Sequence, residues 1–169
     1  REGVFHIVVN HYEGVKKKTP SFVVQKNLQP LACEETENGF VLKSGENELQ
    51  ITKKPFGMEF FCAGKRMTKM TGEDFSYIRT GDSGVLLYEE QAEASYMRGA
   101  TGLSVGEMIY GLGEQFGPFV KNGQSIDMWN EDGGTSSELA YKNVPFYLSN
   151  RGYGIFVNHP ERVSFEIGT

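Results

Sequence analysis

The chain has 169 residues, 38% of them hydrophobic, and a formal net charge of −5 from 22 acids and 17 Lys or Arg. That length suffices for one ordinary domain burying roughly 70% of its unfolded surface, so a core needs neither metal nor disulfide. Acids and bases are mixed without a basic face, which argues against nucleic acid and anionic membrane as partners, and the one basic run, Lys16 to Lys18, reads as a solvated turn.

Twelve Phe, eight Tyr and 21 scattered Gly favour short strands joined by tight turns over helices. In chain order, "VFHIVVNHY" (4–12) is a dense β-branched and aromatic run that reads as a strand, and "SFVVQKNL" (21–28) follows a Lys-Thr-Pro break. "GFVLKSGENELQITKKPFGMEFFCAGKRMTKM" (39–70) reads as four strands, with turns at Ser44-Gly45-Glu46-Asn47, Lys54-Pro55-Phe56-Gly57 and Ala63-Gly64. "GVLLYEE" (84–90) and "ASYMRGATGL" (94–103) continue the pattern. Runs at 107–113, 124–129, 144–149, 154–158 and 162–167 complete it, with "SNRGYG" (149–154) supplying Asn and Gly for positive φ. "GGTSSELAYKN" (133–143) has room for one helical turn capped by Thr135, Ser136 or Ser137, and no long amphipathic helix is visible. The expectation is a single all-β domain over residues 1–169, a two-sheet antiparallel β-sandwich.

Cys33 and Cys62 form no CxxC pair and are expected to be reduced and partly buried. With no Asn-x-Ser/Thr sequon, no signal-like segment and no apolar run of membrane-spanning length, a cytoplasmic location is the default expectation. Strand-like runs stand almost at both ends of the chain, without polar tails, so a piece of a longer polypeptide is expected.

"GLGEQFG" (111–117) is glycine-rich, yet its spacing is not that of a phosphate loop and no helix follows to offer an N-terminus. A strand ending in a bulge or turn is the better reading, with Glu114 as its hydrogen-bonding anchor. His6 and His11 would fall on opposite faces of a strand, and His159 precedes Pro160 in a turn, so no metal site is expected. Asp127, Glu131 and Asp132 lie close in sequence, but the double glycine at 133–134 leaves them on mobile backbone, whereas a glycosidase carboxylate pair needs rigid support. No complete catalytic pair is therefore expected. Binding is better founded: Trp129, Asn130, Asp132 and Tyr141 supply an aromatic face and hydrogen-bonding groups of the kind sugars use. The plain alternative is that Trp129 closes the core while Asp132 makes an Asx turn with the glycines.

"YGLGEQF" and "NGQSIDMWNEDGGTSSELAYKNVPFYLSNRGYGIFVNHPERVSFEIG" closely resemble the N-terminal domain of glycoside hydrolase family 31, specifically its bacterial α-xylosidase branch. The resemblance is continuous from about residue 107 to 169 and looser before it, where "VVNHYEG" and "TPSF" look like the domain's opening strands. It implies a galactose-mutarotase-like β-sandwich, missing the family's first strands. A (β/α)₈ barrel, absent from this chain, would follow and carry the aspartate nucleophile and acid/base of a retaining hydrolase. The sandwich would lend a loop to the pocket, with Asp132 as the substrate-binding acid and Trp129 and Tyr141 beside it. No catalytic residue, metal or cofactor is carried over. The implied partners are an α-linked oligosaccharide and the barrel. Homo-oligomerisation of the parent is left open by the sequence. Terminal α-xylosides are the expected substrates, with α-glucosides second. The alternatives are a free-standing carbohydrate-binding sandwich, disfavoured by a single Trp, and a mutarotase-like epimerase, disfavoured by three scattered histidines.

Overall fold

The computed structural model describes residues 2–12, 14, 20–22, 31–79, 95–131 and 139–169. Twelve strands run through them: β1 (Ala32–Thr36), β2 (Gly39–Ser44), β3 (Asn47–Thr52), β4 (Gly57–Cys62), β5 (Lys65–Thr71), β6 (Phe75–Arg79), β7 (Ser95–Gly99), β8 (Ile109–Gly113), β9 (Gln124–Met128), β10 (Asn143–Ser149), β11 (Gly154–Phe156) and β12 (Val163–Ile167). Among the described residues there is no α-helix, only a 3₁₀ turn at Gly72–Asp74. Every strand pair is antiparallel, in keeping with the all-β expectation. The strands fall into four hydrogen-bonded sheets, and the chain into two compact units, residues 1–16 with 27–102 and residues 17–26 with 103–169.

In the first unit, β1 to β5 form a meander in which each strand pairs with the next, and β6 pairs with β7. The three turns expected between residues 39 and 70 all stand where their Gly, Asn and Pro residues place them. Leu49, Met58 and Met67 are the buried apolar residues of the meander. Met67 and Thr68 are both buried although adjacent, because the register slips between Phe60 and Phe61 and a bulge turns two consecutive side chains inward.

Two expectations fail in this unit, and one strand went unread. Residues 4–12 form no strand: their β-branched side chains meet no ladder partner, and the segment is held instead by contacts such as Phe5 against Phe60 and His11 stacked 3.7 Å from Tyr77. Strand β1, which went unread, is wholly exposed and polar, an edge made only by pairing with β2. Cys33 lies on that edge and is exposed, whereas Cys62 is half-buried, and both thiols are free. The strand expected at 84–90 and the Lys16–Lys18 turn lie outside the described residues, as do most of the 21–28 run and the helix-cap candidates Thr135, Ser136 and Ser137.

In the second unit, sheet β11–β10–β8 and sheet β12–β9 share a core of Ile109, Leu112, Met128, Tyr147 and Ile167. Alternation sets it. In β10, Pro145, Tyr147 and Ser149 are buried while Val144, Phe146 and Leu148 face out. The ring of Tyr147 meets that of Phe165 edge-on across the core.

Candidate functional site

The glycine-rich run is a distorted strand end, as its sequence predicts. Gly111, Leu112 and Gly113 take φ of 111°, 71° and 78°, and the β8–β10 register shifts between Asn143 and Tyr147. A Cβ on Gly113 would lie 2.3 Å from the Lys142 carbonyl, so only glycine fits that close approach. The distortion turns Leu112 into the core, where it is completely buried. The side chain that anchors this turn is Gln115, not Glu114: its Nε2 donates to the Leu112 carbonyl at 3.1 Å and to Asn143 Oδ1 at 2.5 Å. Glu114 contributes its backbone N–H, which donates to Lys142 O.

Asn143 is the hub of the site. Its Nδ2 donates to Ala140 O at 2.7 Å and to Trp129 O at 3.2 Å, and its backbone N–H donates to Asn130 Oδ1 at 2.9 Å. A bridge pairs Asn130 with Ala140, and Glu131 N–H donates to Ala140 O. These bonds tie together the residues on either side of segment 132–138. The polar groups of Asn130 and Asn143 are thereby committed to backbone geometry rather than to a ligand.

Beside this clamp lies an open cleft of about 1060 Å³, walled by Phe116, Gln124, Asp127, Trp129, Glu131 and Arg162 among others. Trp129 is 51% exposed, which overturns the reading of it as a core-closing residue. Its exposure follows from the strand period: Met128, one residue earlier, takes the inward position. The cleft therefore combines an indole, a phenyl ring, an amide, a free-facing carboxylate at Glu131 and an ion pair. That is the mixture of apolar faces and hydrogen-bonding groups a sugar requires.

The ion pair joins β9 to the residue preceding β12. Arg162 Nε donates to both Asp127 oxygens, at 3.0 and 2.8 Å, Nη2 adds a further bond, and Ser164 Oγ–H donates at 2.9 Å. The Arg162 hydrogen bonds hold the Asp127 carboxyl below its ordinary range against partial burial, helped by Ser164 and by the guanidinium charge. A carboxylate engaged in this way serves to orient Arg162, not to shuttle protons. Asp127 also sits within a strand, so it does not share a mobile loop with Glu131, as the sequence had suggested.

A second polar cluster lies in the same unit. The Glu107 carboxylate is buried and accepts from Ser149 Oγ–H at 2.5 Å and from Ser104 N–H at 2.9 Å, with Arg151 Nη1 3.8 Å away. Burial pushes its pKa up, but bonds from Ser149, Tyr153 and Ser104 and the Arg151 charge outweigh it and leave the pKa lowered. Lys121 is buried with its ammonium donating to Pro118 O at 2.8 Å, and burial lowers its pKa.

Of the expected binding residues, the structure brings Trp129 to the cleft. Tyr141 is 57% exposed, lies under the Lys142 ammonium and is not on the cleft wall. Asp132 lies outside the described residues. Phe116, Gln124 and Arg162 went unnoticed because nothing in their local sequence marks them. Arg162 reaches Asp127 across 35 residues only through the β9–β12 register, in which Ser164 faces Asp127. No cluster of potential metal ligands occurs among the described residues. His159 is occupied in its turn, near Pro20 O and Glu161.

The model of the glycosyl hydrolase 31 N-terminal galactose mutarotase-like domain matches residues 1–166. An α-xylosidase of Emericella nidulans is 45% identical over 98% of this chain, and the α-xylosidase XylQ of Lactiplantibacillus pentosus is 39% identical over 99%. The chain spans 23% and 21% of the length of these two relatives. Among solved structures, a family 31 dextranase of Flavobacterium johnsoniae superimposes with a TM-score of 0.67 over 90% of this chain and 18% of its own, at 21% identity. A family 31 α-xylosidase of Xanthomonas citri gives 0.65 over 86% of this chain and 15% of its own, at 18% identity. These likenesses agree with the all-β, antiparallel architecture: the chain belongs to glycoside hydrolase family 31, as its N-terminal galactose-mutarotase-like domain.

Proposed function

We propose that residues 1–169 act as one pocket-shaping domain of a retaining α-glycosidase that removes terminal α-xylosyl groups, with α-glucosides as the second-best substrates. The observation that carries the reading is the near-complete match to two α-xylosidases, each more than four times the length of this chain. The hydrolytic carboxylates then belong to a (β/α)₈ barrel in the remainder of the polypeptide, where one attacks the anomeric carbon and the other protonates the leaving oxygen. This domain contributes Asp132 as the substrate-binding acid, with Trp129 beside it in the pocket. The isolated chain is inert, and the parent works in the cytoplasm.

The xyloside preference is a matter of whether the pocket accepts one hydroxymethyl group, a difference of about 1–3 kcal/mol in the transition state. The test uses p-nitrophenyl α-xyloside and α-glucoside. The 169-residue chain should release no nitrophenol, while the parent polypeptide should act on the xyloside faster. In the parent, Asp132→Ala should lower kcat/KM for the xyloside by about 10- to 100-fold with little change in melting temperature. Turnover by the isolated chain, or unchanged kinetics in the variant, would overturn the reading.

A further inference from the structure

One stretch of the cleft wall is loop. Residues 114–123, between β8 and β9, belong to no ladder, yet Gln115, Phe116, Gly117 and Pro118 among them line the cleft. The far end of this loop is moored to the core. Lys121 N–H donates to Ile109 O at 2.8 Å, and Asn122 Oδ1 accepts from Ile109 N–H at 2.9 Å. From that mooring the Lys121 side chain turns back, and its ammonium donates to the Pro118 carbonyl at 2.8 Å. Gln124 Nε2 donates to Val120 O, and a Cβ on Gly117 would stand 3.0 Å from Gln124 Oε1. Lys121 is 4% exposed, and among the described residues no carboxylate is paired with it. As filling it is a poor choice. An ammonium taken out of water costs more than a methionine of similar length, and burial lowers its pKa. What a methionine could not supply is the directed bond to the wall.

We infer that Lys121 is a positioning residue of the cleft: through the Pro118 carbonyl it fixes the wall from Phe116 to Pro118, and thereby the room offered to a sugar ring. This rests on the reading of the cleft as a sugar site and deepens it. Pro118 has no N–H with which to join a ladder, and the glycine before it leaves the backbone free to swing. Apart from the ammonium, the loop is held at Gln115, by bonds to Leu112 O and Asn143 Oδ1, and again from Val120 onward. Phe116 and Pro118 lie between these two points. A wall that wanders weakens the sugar in its ground state and its transition state alike, so the loss falls on KM and not on kcat. Pro118 is an exposed residue, so water can replace the lysine at its carbonyl, and overall stability has little stake in the bond.

The test compares Lys121→Met, Lys121→Gln and Lys121→Arg in the parent polypeptide, with p-nitrophenyl α-xyloside as the probe. Lys121→Met removes the donor at similar length. Its KM should rise about fivefold or more with kcat within about twofold, and its melting temperature should hold or rise. If that variant does not fold, Lys121→Gln, whose amide ends one bond short of the lysine nitrogen, carries the same expectation for KM. Lys121→Arg keeps a buried donor and should stay within about twofold of the wild type in both constants. Hydrogen exchange of the 169-residue chain, read by mass spectrometry, is the second measurement. In Lys121→Met, or in Lys121→Gln, segment 114–119 should exchange about threefold faster or more, and segment 144–149 at the wild-type rate. An unchanged KM in an active parent overturns this inference alone. So does a KM raised equally by Lys121→Arg, or unchanged exchange at 114–119. A parent that hydrolyses neither xyloside nor glucoside ends the functional reading instead, and exchange at 114–119 then decides whether Lys121 holds the wall.

Discussion

The meander β1–β5 and the second unit use strands of similar length, yet they bury their side chains in different ways. In the meander each strand pairs with its neighbour in sequence, and the buried residues Leu49, Met58 and Met67 sit in single file among half-buried neighbours. In the second unit β8 pairs with β10 and β9 with β12, so residues 58 apart, Ile109 and Ile167, meet in one cluster. That unit also holds the buried charged groups Glu107 and Lys121, whereas the buried polar residues of the meander, Ser44 and Thr68, carry no charge. Long-range pairing gathers the core cluster and the buried charges into the unit that carries the cleft.

The largest test of this contrast is a pair of core truncations. Leu112→Ala should cost about 4 kcal/mol and Leu49→Ala about 2–3 kcal/mol, since the first leaves a cavity inside a closed cluster. Urea unfolding followed by Trp129 fluorescence and by circular dichroism measures both; equal costs would break the comparison. Next come two glycines. Gly113→Ala should cost roughly 3 kcal/mol, because positive φ adds to a clash with the Lys142 carbonyl, whereas Gly64→Ala, at φ 75° in open space, should cost about 1 kcal/mol. A smaller effect should follow Glu107→Gln, about 2 kcal/mol at neutral pH, from weakened charge-assisted hydrogen bonds. Glu107 titrates lower folded than unfolded, where the ordinary value is 4.5. Its contribution is therefore complete above pH 4.5 and lost as pH falls through the lower, folded value. The wild type and Glu107→Gln should accordingly converge in stability on acidification, a trend read from urea midpoints at successive pH values. Smallest of all, Arg66→Ala in the meander breaks an exposed ion pair with Glu59 and should change stability by less than about 1 kcal/mol.

The same contrast decides what could be read from the sequence. The four strands between residues 39 and 70 were legible because their turns are written locally, in Gly45 with Asn47, Pro55 with Gly57, and Ala63 with Gly64. Strand β1 was not, since Ala-Cys-Glu-Glu-Thr has no alternation and owes its conformation to β2. The 4–12 run misled in the opposite sense: β-propensity expresses packing on a sheet, and here no neighbouring strand supplies one. In the site, the indole of Trp129 was legible as a candidate by its chemistry. Its neighbours Phe116, Gln124 and Arg162 were not, because strand register brings them together across tens of residues. The apolar outer face of β10 was written in "NVPFYLS", where alternation is masked by apolar residues on both sides.

Asn143 gives the domain a socket. One amide and one backbone N–H fasten residues 129, 130 and 140 to the start of β10, so a single residue sets both where the chain departs after Trp129 and where it returns at Ala140.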